Sequence, residues 1–337
     1  MACVLVTGAS GFIGPHLVEA LLARGDRVRC LVRSVGKGRL LRETGAELVR
    51  GDLSQPETLA AAVAGTEVVY HLAGVTKALS QREMFAINRD GTGKLARACA
   101  ESPNVPRLVV VSSVAAAGPT RRGQLRIEAD PPAPVSNYGQ SKLAGEQAAL
   151  QHSDRVPTVI IRPGIVFGPR DRSLLKAFKT IRLMHIHPSP GLSPPPLSWI
   201  YVADLVELLL RAGQRGPIAS AKANGHPGRG VYFAAAPEYP TYAEMGKIVR
   251  PMLSRPHAPI VPLASPVAWC VAGTGELFSQ LRRRPDDVNF DKIREALVTS
   301  WACSGEAAGR DLGFSTPKKL AERFRETIEW YRQQAWL

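Results

Sequence analysis

"VTGASGFIGPHLV" (residues 6–18) closes a β-branched run, opens an apolar-periodic one, and carries glycines at 8, 11 and 14. The flanking "CVLVTG" (3–8) reads as a strand and "PHLVEALLARG" (15–25) as a helix. Pro15 suits a first helical turn and Gly25 a C-terminal stop. Glycines at this spacing, at a strand–helix junction, meet three separate demands. Gly8 permits a tight turn, Gly11 lets backbone approach a pyrophosphate, and Gly14 lets the helix pack closely against the strand. The helix N-terminus, entered through Ser10, Phe12 and Ile13, then offers unpaired N–H groups to phosphate oxygens.

Outward from this junction the same alternation continues. "VRCLV" (28–32), "AELVRGD" (46–52), "EVVYHLAG" (67–74), "RLVVVSS" (107–113) and "TVIIRPG" (158–164) are mostly continuous apolar runs, as strands covered on both faces are. Strand–helix alternation of this kind predicts an α/β fold, a Rossmann-type doubly wound parallel sheet. The second half is less regular. "HPSPGLSPPPLSW" (187–199) and "AKANGHPGRG" (221–230) read as loops, and helical patterns fall at about 203–213, 242–253, 266–281, 288–297 and 317–333. The expected organisation is a dinucleotide-binding domain over 1–180, with 196–235 returning to it. A smaller, mostly helical substrate-binding lobe takes 181–195 and 236–337.

With 337 residues the chain can build a large core and a second lobe. Its five cysteines (3, 30, 99, 270 and 303) form no Cys-x-x-Cys pair, and the first strand begins almost at Met1. Both features suit a reducing, cytoplasmic setting, and no metal site is expected. A net charge of +14 fits an anionic ligand or surface, but no nucleic-acid module is visible and the bases are dispersed except in "QLRRRP" (280–285). The longest uncharged run, 258–275, holds Pro259, Pro262 and Pro266, which argues against a membrane span. It reads as a loop entering a short apolar helix that ends near Arg282. The stretch 258–285 sets apolar residues beside three arginines, so it suits either packing within the lobe or peripheral contact with a membrane surface.

The second strand ends in "CLVRS", with Arg33 where an NAD site commonly carries an acidic residue for the ribose, and Lys37 and Arg39 follow. A guanidinium there suits a 2′-phosphate by charge and by fork geometry, so NADP(H) is expected over NAD(H). Further along, "VSNYGQSKLAGE" (135–146) places Tyr138 and Lys142 one helical turn apart. Such a pair also occurs on ordinary solvated helix faces, and spacing alone does not separate the two readings.

Taken together, "TGASGFIG" (7–14), "GDL" (51–53), "HLAG" (71–74), "NRDGT" (88–92), "VSSVAAAG" (111–118), "YGQSK" (138–142) and "RPGIVFGP" (162–169) resemble, in order and approximate distance, the extended short-chain dehydrogenases/reductases. The likeness covers residues 3 to about 210 and the remainder more loosely. It implies that Asp52 and Leu53 lie against the adenine, that Leu72, Ala73 and Gly74 line the nicotinamide ribose, and that Asn88 supports the strand beside the cofactor. It further implies Tyr138 as proton donor or acceptor, and Lys142 as the group that holds the ribose and acidifies the tyrosine. The catalytic serine is Ser113 by its distance to Gly118, with Ser112 the close alternative. Backbone of Pro163, Gly164 and Ile165 would face the carboxamide. Family members commonly form homodimers through two helices each, here those near 83–101 and after Tyr138.

The chemistry agrees with these roles. A free tyrosine titrates near ~10, so a neighbouring cation is needed to make it a useful base. A serine hydroxyl beside it can fix a substrate oxygen. Nucleotide-sugar members of the family usually carry Arg-Tyr-x-Asn after the sixth strand, and the asparagine contacts a diphosphate. Ile165 stands in its place and cannot hydrogen-bond. The "RPxxVFGP" form is closer to the hydroxysteroid-dehydrogenase-like and dihydroflavonol-reductase-like branches. The expected activity is therefore interconversion of a ketone and a secondary alcohol on a bulky apolar small molecule. Nucleotide-sugar epimerisation or dehydration is the alternative, and a non-catalytic NADP(H)-binding protein is a third reading.

Overall fold

The computed structural model describes residues 1–34, 41, 43–221, 228–263, 273, 282 and 290–337. Its centre is a seven-stranded parallel sheet. Six strands are β1 (Cys3–Thr7), β2 (Arg27–Val32), β3 (Glu47–Arg50), β4 (Val68–His71), β5 (Arg107–Val111) and β6 (Thr158–Pro163), and Val231–Ala234 is the seventh. From one edge the order is β3, β2, β1, β4, β5, β6 and then Val231–Ala234. The direction of winding reverses between β1 and β4, which opens a crevice at the carboxyl ends of those strands, the usual ligand site of such sheets.

The strands are apolar on both faces because both faces are covered. Leu17, Leu21, Leu205 and Leu209, from helices Ile13–Ala23 and Val202–Gln214, pack with Val4, Val6, Val109 and Ile161. On the opposite face Leu59, Leu95, Cys99 and Ala149 pack with Leu5, Val69, Leu108 and Ile160. The first helix stops as its sequence implies: Gly25 has φ +87°, and the N–H groups of Gly25 and Asp26 return to the carbonyls of Leu22 and Leu21.

A second core, built round Phe178, Trp199, Phe324 and Tyr331, joins helices Arg172–Met184, Tyr242–Met252 and Leu320–Gln333 into the smaller lobe. Helix Arg172–Met184, capped by Asp171 through Ser173 N–H and Leu174 N–H, belongs to this lobe. Ala308, Leu312 and Phe314, assigned to the lobe by sequence, lie in the core under the sheet.

The proline-rich 187–199 segment is also more ordered than a loop. His187–Pro190 pairs in parallel with Ile260–Leu263, and Trp199–Tyr201 pairs with Ile165–Phe167. Two-stranded ladders have outward edges, where a proline's missing N–H costs nothing. The expected helix over 266–281, the "QLRRRP" cluster apart from Arg282, and Lys37 and Arg39 lie outside the described residues. No described helix is long and apolar enough to cross a membrane.

One polar chain crosses this core. The buried His71 ring lies 2.7 Å from Thr7 Oγ1 through Nδ1 and 2.9 Å from Thr92 Oγ1 through Nε2. Burial, with a smaller push from the Lys142 ammonium, takes the imidazole down from 6.5 to about 3. The unfolded chain therefore binds a proton below about 6.5 that the folded chain refuses. Stability present above that pH is lost on acidification, by up to about 1.4 kcal/mol per pH unit from this group. Urea unfolding between pH 6.5 and 5 is expected to depend less steeply on pH in His71→Gln than in the unaltered protein. Equal slopes would mean that the folded ring takes up the proton.

Candidate active site

The glycine turn is shaped by close backbone approach. Gly8 has φ +72°, and a Cβ there would sit 2.6 Å from the Ala73 backbone nitrogen, so β1 and the segment after β4 meet with no room for a side chain. A Cβ at Gly14 would lie 2.4 Å from Ala9 O, so the helix packs on the turn itself. Gly11 N–H donates to Gly8 O at 3.0 Å, and Ser10 stands exposed at the tip. Phe12 and Ile13 then line a cleft of about 570 Å³, whose walls also carry Leu72 and Gly74.

At the far end of the crevice Arg33, exposed just past β2, shares a cavity of about 380 Å³ with Arg50, Asp52 and Thr58. The Ser54 N–H and hydroxyl hold the Asp52 carboxyl below its ordinary range, and Arg33 adds to this. Leu53 packs on Gly91, at the start of the helix behind the cavity. Arg50 had no motif to mark it; only strand pairing brings β3 beside β2.

Asn88 sits in a π-helical turn, Ala86–Asp90, inside an otherwise α-helical run. The wider turn aims its buried amide at Val75: Oδ1 accepts from Val75 N–H at 2.8 Å, while Nδ2 donates to Val75 O and Ser141 Oγ. Gly74 is thereby held against the cleft.

The two candidate serines separate clearly. Ser112 Oγ is buried and donates to the Glu146 carboxylate. Glu146 in turn receives Arg162 in a bidentate, buried ion pair at 2.9 and 2.6 Å. Ser113 caps the short helix Val114–Ala117, its Oγ accepting from Ala115 N–H, and lines the cleft together with Tyr138. Tyr138 and Lys142 lie on the cleft side of helix Asn137–Leu150. Lys142 Nζ donates to Val111 O at 2.7 Å, and burial takes its ammonium down to about 8 against the opposing pull of Glu146.

Burial pushes the Tyr138 phenol above its ordinary value. The leading charge opposing that rise is Lys292, not Lys142. Lys292 comes from the smaller lobe, its Nζ 5.2 Å from the Tyr138 ring centroid and 2.7 Å from Glu295. Nothing in the local sequence marks it, because helix Phe290–Ala296 reaches the site only through the tertiary fold. Its carboxylates also grip the start of the Tyr138 helix. Asp291 accepts from Tyr138 N–H at 3.1 Å, and Glu295 from Ser136 Oγ at 2.7 Å. Negative charge at a helix N-terminus is favourable there.

Beyond Tyr138 opens a second cavity of about 580 Å³, walled by Val114, Ala115, Leu197, Tyr242 and Trp301. Ser113, Tyr138, Gly164, Ile165 and Lys292 line both this cavity and the cleft. Pro163 lies on the cleft side only, and Gly164 has no space for a side chain against Ser198 O.

The family model that matches residues 4–221 is that of the NAD-dependent epimerase/dehydratases. The chain belongs to this family. A ceramide reductase of Caulobacter vibrioides is 30% identical over 99% of this chain and 96% of its own length. A 3 beta-hydroxysteroid dehydrogenase/Delta 5-->4-isomerase of Mycobacterium tuberculosis is 27% identical over 97% of this chain and 90% of its own. The crystal structure of gox2253 superposes with a TM-score of 0.78 at 26% identity, over the full length of both chains. Epimerase/dehydratase family members bind a nicotinamide dinucleotide. The side-chain-free cradle at Gly8 and the helix N-terminus at Ile13 fit its pyrophosphate.

The Glu146–Arg162 pair allows a direct test. Removing one partner of a buried ion pair leaves an uncompensated charge, at a cost of about 3–5 kcal/mol. Glu146→Ala is expected to lose stability on that scale in urea unfolding, and the double substitution Glu146→Leu with Arg162→Met to recover most of it.

Proposed function

We propose that the protein is an NADP(H)-dependent oxidoreductase that interconverts a ketone and a secondary alcohol on a bulky, largely apolar substrate. One observation carries this reading: Ser113 and Tyr138 stand on the wall shared by the dinucleotide cleft and an apolar cavity. A carbonyl entering from the apolar side meets a phenol and a hydroxyl together.

When bound, the dinucleotide supplies or accepts a hydride at the substrate carbon. The rest is the work of this chain. Ser113 donates to the carbonyl oxygen and fixes its direction, and Tyr138 delivers the proton to that oxygen in reduction or removes it in oxidation. A buried phenol with a raised pKa is protonated at neutral pH, ready to act as the acid. Oxidation needs the phenolate and is therefore expected to accelerate as the pH rises. Lys142, beside Gly74 and Tyr138, is placed to hold the ribose hydroxyls. The half-exposed Ile165 and the apolar walls favour this reading over nucleotide-sugar chemistry, since a diphosphate would face Ile165 and the Glu295 carboxylate. The names of the ceramide and hydroxysteroid relatives agree with an apolar substrate.

A screen of sterol-like, flavonoid-like and lipid ketones with either dinucleotide tests the proposal. Tyr138→Phe is expected to lower turnover by about 10²–10⁴-fold while cofactor still binds; an active variant, or turnover of UDP-sugars by the unaltered protein, refutes it. The cofactor choice has its own test. Fluorescence titration is expected to give tighter binding of NADPH than NADH, and Arg33→Glu to abolish that preference by removing a charge-assisted contact worth about tenfold or more.

A further inference from the structure

Helix Arg172–Met184 reads RSLLKAFKTIRLM, 13 residues without an acidic side chain. Its apolar residues Leu174, Phe178 and Ile181 are buried in the core of the smaller lobe. Arg172, Lys176 and Lys179 recur at four- and three-residue spacing on the outward face, and Arg182 stands beside them in the last turn; all four are exposed. The helix starts at the dinucleotide cleft, which Ser173 and Lys176 line, and extends about 20 Å from it. It ends in two adjacent exposed apolar side chains, Leu183 at 71% and Met184 at 65%. Further positive charge gathers at this end. Arg255 Nε donates to Arg182 O at 3.1 Å, and Arg332 donates to Met252 O, three residues before Arg255. Lys179 and Arg182 have no carboxylate partner among the described residues.

Basic side chains alone would suit any polyanion. The apolar pair at the end of the stripe narrows the choice, because its exposure to water is unfavourable and a nucleic-acid phosphate backbone offers it nothing apolar to enter. An anionic bilayer answers both features, with headgroup charge for the bases and an acyl boundary for Leu183 and Met184. The chain's net charge of +14 draws it to the same surface. From this arrangement we infer that helix Arg172–Met184 docks the protein on an anionic lipid surface. Lys179, Arg182 and Arg255 lie at the level of the lipid phosphates, and Leu183 and Met184 insert below them. The dinucleotide cleft then stands within one helix length of the bilayer.

Docking does not depend on the reaction, so the proposed activity stands whichever way the test falls. Flotation with vesicles of phosphatidylglycerol and phosphatidylcholine at low salt is expected to carry the protein into the lipid fraction, and vesicles of phosphatidylcholine alone to leave it behind. Lys179→Gln with Arg182→Gln is expected to weaken partitioning by about tenfold or more, from roughly fivefold per charge. Arg121→Gln with Arg155→Gln lowers the net charge equally but lies off this helix, and is expected to weaken it far less. Leu183→Ser with Met184→Ser is expected to cost about tenfold through lost apolar burial. Thermal unfolding would confirm that each variant is folded. No flotation with the anionic vesicles, equal flotation with the neutral ones, or an equal loss in the Arg121→Gln, Arg155→Gln control overturns the docking face. Undiminished partitioning of the Leu183→Ser, Met184→Ser variant assigns the binding to charge alone and overturns it too. So does sedimentation in which the unaltered protein dimerises and that variant does not, which gives the face to a second copy of the chain.

Discussion

The site is held in register by one buried ion pair. Arg162 on β6 clasps Glu146 on the Tyr138 helix, and Glu146 also takes the hydroxyl of Ser112 at the end of β5. Three elements that supply Ser113, Tyr138 and the Pro163–Ile165 backbone are thus tied at a single carboxylate. Burying two charges carries a desolvation cost that only close, bidentate geometry offsets. That cost is better understood as securing alignment than as adding stability. The Arg162 guanidinium also lies 5.9 Å from the Phe233 ring centroid, so the neighbouring strand is drawn into the same arrangement.

Around that clasp the site is assembled from two sources with different tolerances. The cleft side is made of backbone: the Gly8 cradle, the Gly74–Val75 segment held by Asn88, and the turn at Gly164. Backbone against backbone at these distances leaves little freedom to vary. The far side is made of side chains from the smaller lobe, with Trp301, Tyr242 and Leu197 forming walls that can change shape without disturbing the sheet. The cleft and the apolar cavity are therefore built from physically distinct parts of the molecule, which meet at Tyr138.

The sequence exposed these two sides unequally. Strands covered on both faces leave continuous apolar runs, so the sheet and its winding are readable by position, and glycines at fixed offsets mark the close-packed turn between β1 and the first helix. The two serines at the end of β5 are not separable in sequence, because adjacent hydroxyls at a strand end look alike there; in the fold Ser112 bonds Glu146 while Ser113 lines the cleft. The lobe was poorly legible. His187–Pro190 has the composition of a loop yet forms a strand, and Ala308, Leu312 and Phe314 are lobe-like in sequence position but pack beneath the sheet. Lys292 could not be read at all, since its meaning depends on a contact with a residue 154 positions earlier in the chain.

Helix Phe290–Ala296 has a consequence for how such proteins diversify. Its two carboxylates hold the first turn of the Tyr138 helix while the lysine between them faces the cavity, so one wall of the apolar cavity and the grip on the Tyr138 helix share one short segment. A chimera that transplants the small lobe from a relative would import a foreign grip on Ser136 along with the new pocket. Exchange should succeed when the segment and the turn it holds travel as a unit, and should misalign the phenol when they are separated.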